Sequence, residues 1–541
     1  MLDAATGRPA LITDARTAAY ARLHETHTGV VVLCGDRAYK VKKPVVTDFL
    51  DFGTVELRER ACRREIELNR RLAPDVYLGL AHLSDLPGAP AEPVLVMRRM
   101  PEESRLSAVL ADRDGPAVDL AALATTVAHF HATARRDAGI DAAGTAERLR
   151  QRWQSLLEPL QRDAPRYLDP RTLEFVQRAA LRYLAGRVRL LDERIAGGRV
   201  VDGHGDLLSE DIFMLPDGFR ILDCLDFDDE LRYVDGLDDA AFLAMDLEFR
   251  GFRYRAAEFL DEYTRAADDP APASLRHHYI AYRAMIRAKT DCLRVTQGDA
   301  HAAAGARRHV DLAISHLRRG AVRLVLAGGL PGTGKSTLAA RLADTTGAAL
   351  LAADDVRAEL RASGMITGGS GVFGAGAYEP AAKDRVYTEL LERAGLLLER
   401  GVPVVLDATW SHRAHRARAA ALAEQTTSEP VLLHCTCPAD VAEARIAARR
   451  AGNSDATPPS RARWPRARTP GPRRFRSTPP GPGSRSSPRR CANTTQGPDR
   501  GEQTTTGDAH APFTEAAGPR SSKTGPPGSC VRRRGHRSGN R

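Results

Sequence analysis

RLVLAGGLPGTGKST, residues 323–337, decides the fold of the part of the chain that contains it. A short apolar run of strand character ends in a glycine-rich turn, and the helix-forming segment STLAARLA follows. Gly329, Gly334, Lys335 and Ser336 satisfy G-x-x-x-x-G-K-[ST]. That loop turns backbone N–H groups toward a chain of phosphates, its lysine reaches the outer phosphates, and its hydroxyl holds Mg²⁺. Gly329, Gly332, Gly334, Lys335, Ser336 and Thr337 are therefore the ATP-binding candidates here, and Ser336 is also a metal candidate.

Downstream, VPVVLDATW and PVLLHCTC read as strands, alternating with the helical segments DDVRAEL and ADVAEARIAARR. Strands alternating with helices specify a parallel sheet. Asp354 and Arg357 follow the second strand, and Asp407 ends a buried strand, where it suits Mg²⁺ or base catalysis. Arg445 and Arg449 lie on a helix that could act as a lid. Cys435 and Cys437 are read as core strand packing rather than as metal ligands.

Upstream, a second constellation stands at 204–230, HGDLLSEDIFML followed by RILDCLDFDDE. A histidine two residues before an aspartate, with another aspartate after a following strand, is a phosphotransfer arrangement. Asp206 would take the acceptor hydroxyl's proton and Asp223 would hold Mg²⁺. Pro216-Asp217-Gly218 marks a hairpin turn. The acids Asp226, Asp228, Asp229 and Glu230 would either attract a cationic substrate or form a solvated loop. VVVLCGDRAYKVKKP reads as two strands around Gly35-Asp36. VELRERACRREIELNRRL reads as a helix with Leu57, Ala61, Ile66 and Leu72 among its apolar positions. His129 and His131, two apart on a helix, are read as structural.

Composition sets the limits. The chain has 541 residues, 43% of them hydrophobic, which suits two to four domains with large cores. No apolar run is long enough to span a membrane, the N-terminus lacks a signal-peptide pattern, and the eight cysteines form no framework. A cytoplasmic protein with no membrane partner is expected. The net charge of +10 belongs to the tail. Residues 458–541 carry 17 Arg and one Lys against four acids, which leaves 61 basic and 65 acidic residues before them. No specific nucleic-acid partner is expected.

Residues 323–457 resemble the small-molecule P-loop kinases of the zeta-toxin and gluconate-kinase type. GGLPGTGKST, D-x-x-R at Asp354 to Arg357, LDATW and a lid bearing Arg445 carry the likeness. It implies that Asp354 lies near the phosphate acceptor and that Arg445 acts in catalysis. Residues 1–300 resemble the aminoglycoside phosphotransferase group, whose fold is that of the protein kinases, through H-G-D-L at His204 to Leu207. The resemblance implies that Lys40, with Lys42 as the register alternative, meets the ATP phosphates and that Glu65 pairs with it. It implies a structural role for Asp239 and a lobe-joining segment in PVLVMRRM. The family's Asn five residues after the catalytic Asp is here Asp211, an alternative Mg²⁺ ligand, and no G-x-G-x-x-G loop is present. Both parts together are similar to bacterial two-part proteins in which a phosphotransferase-like domain is fused to a P-loop ATPase or kinase.

The expected organisation is multidomain. A bilobal protein-kinase-like α+β domain spans 1–300 and a helical connector spans 301–320. A P-loop α/β domain with a parallel sheet spans 321–457, followed by a disordered Pro/Arg-rich tail over 458–541. The abrupt change at 457, before a further helix–strand unit, reads as a shift of reading frame. The expected function is ATP- and Mg²⁺-dependent phosphotransfer to a small-molecule hydroxyl. The alternative is a nucleotide-sensing protein with a pseudokinase half and a P-loop switch.

Overall fold

The computed structural model describes residues 21–448 apart from 26–27, 47–50, 85–90, 164–165 and 368–377. The tail, the frame shift read from it and Arg449 lie outside the described residues.

The described residues begin with a five-stranded antiparallel sheet. Its strands are β1 (Ala21–Glu25), β2 (Gly29–Cys34), β3 (Arg37–Lys42), β4 (Tyr77–Leu83) and β5 (Glu92–Arg98), in the order β1-β2-β3-β5-β4. The expected hairpin is β2–β3, with Gly35 at φ 58° in its turn. The strands β1 and β4 were not foreseen from the sequence. One helix, Val55–Asn69, covers the sheet and is capped where Thr54 accepts from the Leu57 N–H at 3.3 Å. Its fully buried ridge is Arg58, Cys62, Glu65 and Leu68, while the apolar positions Leu57, Ala61, Ile66 and Leu72 are partly buried. Spacings of four, three and three residues keep that ridge on one face. It is partly charged because Glu65 meets the lysines of β3 and Arg58 pairs with Glu92, and Leu72 lies beyond the helix.

A helical lobe follows. Its core element is the helix Gly236–Phe249, capped by Asp235 and almost wholly buried. Two small antiparallel pairs belong to this lobe. β6 (Val200–Asp202) pairs with β9 (Tyr233–Asp235), and β7 (Ile212–Leu215) pairs with β8 (Gly218–Ile221) through the expected turn. Phe213 and Leu215 of β7 join Leu33, Tyr77 and Met97 in the small core beneath the five-stranded sheet, which ties the lobes together. This sheet-plus-helical-lobe arrangement is the protein-kinase-like fold.

The second sheet is parallel. β10 (Arg323–Gly328), β11 (Ala349–Ala352), β12 (Val404–Asp407) and β13 (Glu429–His434) run in the order β11-β12-β10-β13. The helix Ala302–Arg319 leads into it but is no free linker. Ala306, Val310 and Ala313 are buried in one hydrophobic core that runs from Leu157 and Phe259 to Leu324 and Val404. β13 is an edge strand with alternating exposure, and Cys435 and Cys437 lie past its end, so neither packs in a core strand as expected.

Candidate functional site

In the first half, strand alternation places Lys40 and Lys42 on one face of β3, toward the helix Val55–Asn69. Lys40 Nζ donates to Glu65 Oε1 at 2.8 Å and lies 3.2 Å from Asp223 Oδ1. Lys42 Nζ is 2.9 Å from Glu65 Oε2 and 2.7 Å from Asp226 Oδ2. The register alternative resolves into a division of labour. Both lysines grip Glu65, but only Lys40 reaches Asp223. Burial would raise the Glu65 carboxyl, and the two ammonium groups overcome it and hold it at about 2.

Asp223 sits two residues past β8 with φ 62°, a left-handed conformation that Asp tolerates better than most residues and that concentrates at functional sites. Its side chain is 60% exposed. The next residue is anchored, because the Cys224 N–H donates to Asn69 Oδ1 at 2.9 Å and Leu225 N–H to the His204 carbonyl at 3.1 Å. These bonds tie the Asp223 segment both to the Glu65 helix and to the H-G-D-L loop.

That loop hangs on Asp239. Its carboxylate accepts from the backbone N–H of His204 at 2.6 Å and of Gly205 at 2.9 Å, and lies 3.0 Å from His131 Nε2. The structural reading of His131 and Asp239 is one network. His204 is buried with Nε2 3.1 Å from the Leu222 carbonyl, and burial lowers its pKa, so it supports the loop as a neutral ring. Arg283 donates to the Gly205 carbonyl at 3.0 Å and to both oxygens of Asp238, which holds the loop from the other side.

Asp206 and Asp211 both feel the charge of Asp223. Burial first, with Arg287 opposing and Asp223 adding, pushes Asp206 up to about 6. Burial and then Asp223 and Asp206 push Asp211 well above the carboxylate range. Among the described residues no three His, Cys, Asp or Glu side chains converge as a self-sufficient ion cage. Mg²⁺ does not need one, since it takes one or two carboxylates together with phosphate oxygens and water. Asp211 and Asp223 fit that hard, oxygen-only donor set, and their mutual repulsion is what a divalent cation would relieve.

In the second half, Gly329, Gly332 and Gly334 hold φ of 150°, 81° and 89°. A Cβ on Gly332 would come within 2.5 Å of the Ala442 carbonyl, so the lid helix Ala439–Ala447 rests on the loop. Lys335 opens the helix Lys335–Thr346, with its Nζ 3.3 Å from Asp407 Oδ1. That contact has ion-pair distance without hydrogen-bond geometry, and it leaves the buried Asp407 Oδ1 otherwise unpartnered. Ser336 Oγ is 3.4 Å from the same ammonium. A cavity of about 570 Å³ is lined by Gly332, Gly334, Thr337, Arg341 and Arg445, so the lid arginine and the phosphate loop share one space. Asp354 stands apart from them. It pairs with Arg357, which lies under the Tyr378 ring at 4.5 Å, and no contact among the described residues joins it to Lys335 or Arg445.

Of the two readings of the acidic run 226–230, the contacts go against a loop free to attract a cation. Asp226 is held by Lys42, Asp229 by Arg64 and Arg232, and Glu230 by Arg148, while Asp228 accepts from the Glu230 N–H at 2.9 Å. The chain's own basic groups already neutralise that run. Asn69 and Arg283 were missed as site residues, because neither belongs to a motif and each reaches the site from a helix distant in sequence.

Residues 324–469 match the AAA domain family, a match that runs past position 457. Uncharacterised proteins of Mycobacterium tuberculosis and Mycobacterium bovis are each 49% identical over 435 residues, 80% of this chain and 87% of theirs. A choline/ethanolamine kinase family protein from Mesorhizobium loti is 15% identical and covers 56% of this chain and 94% of its own, with a TM-score of 0.34. No helix among the described residues is long and apolar enough to cross a membrane.

Proposed function

This chain belongs to the family of the Mycobacterium tuberculosis protein Rv2004c, and we propose that it is an ATP- and Mg²⁺-dependent phosphotransferase acting on a small-molecule hydroxyl. The carrying observation is the chain of contacts Glu65–Lys40–Asp223, closed onto the Asp206 loop by the Leu225–His204 bond. Lys40 holds ATP phosphate oxygens, oriented by Glu65. Asp223 and Asp211 hold Mg²⁺, which supplies charge neutralisation at the phosphates. The acceptor oxygen forms its bond to the γ-phosphorus, the bond to the ADP oxygen breaks, and Asp206 takes the hydroxyl proton. A carboxyl near 6 is mostly ionised at neutral pH yet basic enough to accept that proton.

The second half is a further nucleotide site. Lys335 and the loop glycines hold the phosphates, Ser336 and Asp407 suit Mg²⁺, and Arg445 closes from the lid. Asp354 belongs to its acceptor side. The sensing alternative draws on Asp211, a third carboxylate where charge repulsion opposes a metal-free resting site.

Turnover of ATP by the full chain, with small-molecule acceptors, separates the readings. Phosphoryl transfer lost in Asp206→Asn supports the enzyme. Tight binding of Mg·ATP at both sites with no transfer from any acceptor supports the sensor.

A further inference from the structure

One cation in the first cleft has no work in the apparatus above. Arg287 lies on the helix Ala273–Thr296, one turn after Arg283. Residues four apart share a helix face. Arg283 presses that face on the catalytic loop through the Gly205 carbonyl, the residue before Asp206. The Arg287 charge reaches Asp206 and opposes the rise that burial causes there. It is half-buried, and among the described residues it makes no hydrogen bond, ion pair or ring contact. The other cations of the cleft are engaged. Lys40 and Lys42 hold Glu65, Asp223 and Asp226, and Arg283 holds Asp238. The acidic run that could have drawn a cationic substrate is neutralised as well.

Resting on the reading of Asp206 as the phosphotransfer base, we propose that the acceptor of the first half carries an anionic group, a carboxylate or a phosphate ester, which Arg287 binds while the acceptor hydroxyl faces Asp206. A planar guanidinium matches either oxyanion through paired N–H donors. A cationic acceptor would be repelled at the same place. Arg287 thus selects against the polyamine-like substrates that the H-G-D-L resemblance suggests.

The test uses the full chain carrying Lys335→Ala, which silences the P-loop site. The probes are two fractions of a bacterial metabolite extract, retained and not retained by an anion exchanger at pH 7, with γ-labelled ATP. We expect label transfer into the retained fraction only, lost in Asp206→Asn. Arg287→Ala should raise the KM for the retained acceptor at least 10-fold with a smaller effect on kcat, and Arg287→Lys should restore part of it. Phosphatase treatment of the retained fraction beforehand abolishes transfer if the anion is a phosphate ester and spares it if it is a carboxylate; either result agrees with the proposal. Asp206-dependent transfer into the unretained fraction, unchanged by Arg287→Ala, overturns it. Absence of Asp206-dependent transfer into both fractions overturns the phosphotransfer reading itself, and this inference with it.

Discussion

Arg187, at the end of one helix of the kinase-like half, donates through Nη1 to the Thr426 carbonyl of the P-loop half at 3.1 Å. The same guanidinium serves the Leu398 carbonyl and is fully buried, and Ser274 Oγ donates to the Gly401 carbonyl at 2.6 Å nearby. Thr426 leads directly into β13, the neighbour of the phosphate-loop strand β10. Gly186 lies flat on this junction, where a Cβ would stand 2.3 Å from the Thr426 carbonyl. Gly186→Val should therefore cost about 1–3 kcal/mol by overpacking. Urea unfolding measures the loss, and amide exchange should rise first in 426–434. Unaltered exchange there would show that the halves are not coupled through Gly186.

On the proposed reading each half offers a lysine to ATP phosphates, so the full chain should bind two equivalents of a non-hydrolysable Mg·ATP analogue. Lys335→Ala and Lys40→Met should each weaken one of the two, by roughly 10–100-fold, as expected for charge-assisted bonds of about 1.5–3 kcal/mol. Isothermal titration reads the stoichiometry directly. A single equivalent in the native chain, untouched by one of the two substitutions, would remove that half from the list of nucleotide sites.

The phosphate loop was legible because its function is local. Ten consecutive residues carry the turn, the donors and the lysine, and the flanking strand and helix follow from apolar spacing alone. The H-G-D-L loop was legible for the same reason. Lys40 and Lys42 were not separable, since residues two apart on a strand share a face, and only the folded distance to Asp223 distinguishes them. Arg283 and Arg287 were invisible because some 80 residues separate them from Asp206 and nothing in a helix reading singles out an arginine. The charges at 226–230 stayed ambiguous for a related reason. Their partners Lys42, Arg64 and Arg148 lie far away in sequence, so the run looks unpaired until the chain is folded.

Asp239 should be the most sensitive structural position of the first site. It is fully buried and satisfies two backbone donors of the H-G-D-L loop and one histidine. Asp239→Ala strands all three donors, and a loss of about 3 kcal/mol or more follows if each costs about 1 kcal/mol or more. Asp239→Asn keeps acceptor capacity on one oxygen and should lose less. Thermal denaturation orders the three proteins as native, Asn, Ala. Equal midpoints for Ala and native would mean that the loop does not depend on this carboxylate.

Asp206 sets the pH dependence of the first site. Its carboxyl is raised to about 6, by burial first and by Asp223 in addition, against the pull of Arg287. The base must be ionised to accept a proton. So kcat/KM should climb as pH rises through about 6 and fall about tenfold per unit below it. Arg287→Ala removes the opposing cation and should move this acid limb to higher pH. For stability the sign is reversed. A carboxyl that ionises less readily in the folded chain than in the unfolded one favours the fold while protonated, and the advantage is lost as pH rises from about 4 to about 6. At pH 7 the native chain therefore carries the strain of an ionised Asp206. Asp206→Asn should relieve it, giving a protein more stable than native by about 1 kcal/mol once screening in the half-open cleft is allowed for. The difference should vanish near pH 4. A variant that loses about 10²–10⁴ in kcat while gaining stability at pH 7 is the signature of a site held under strain for chemistry. An Asp206→Asn protein less stable than native at pH 7 would show instead that this carboxylate serves the fold.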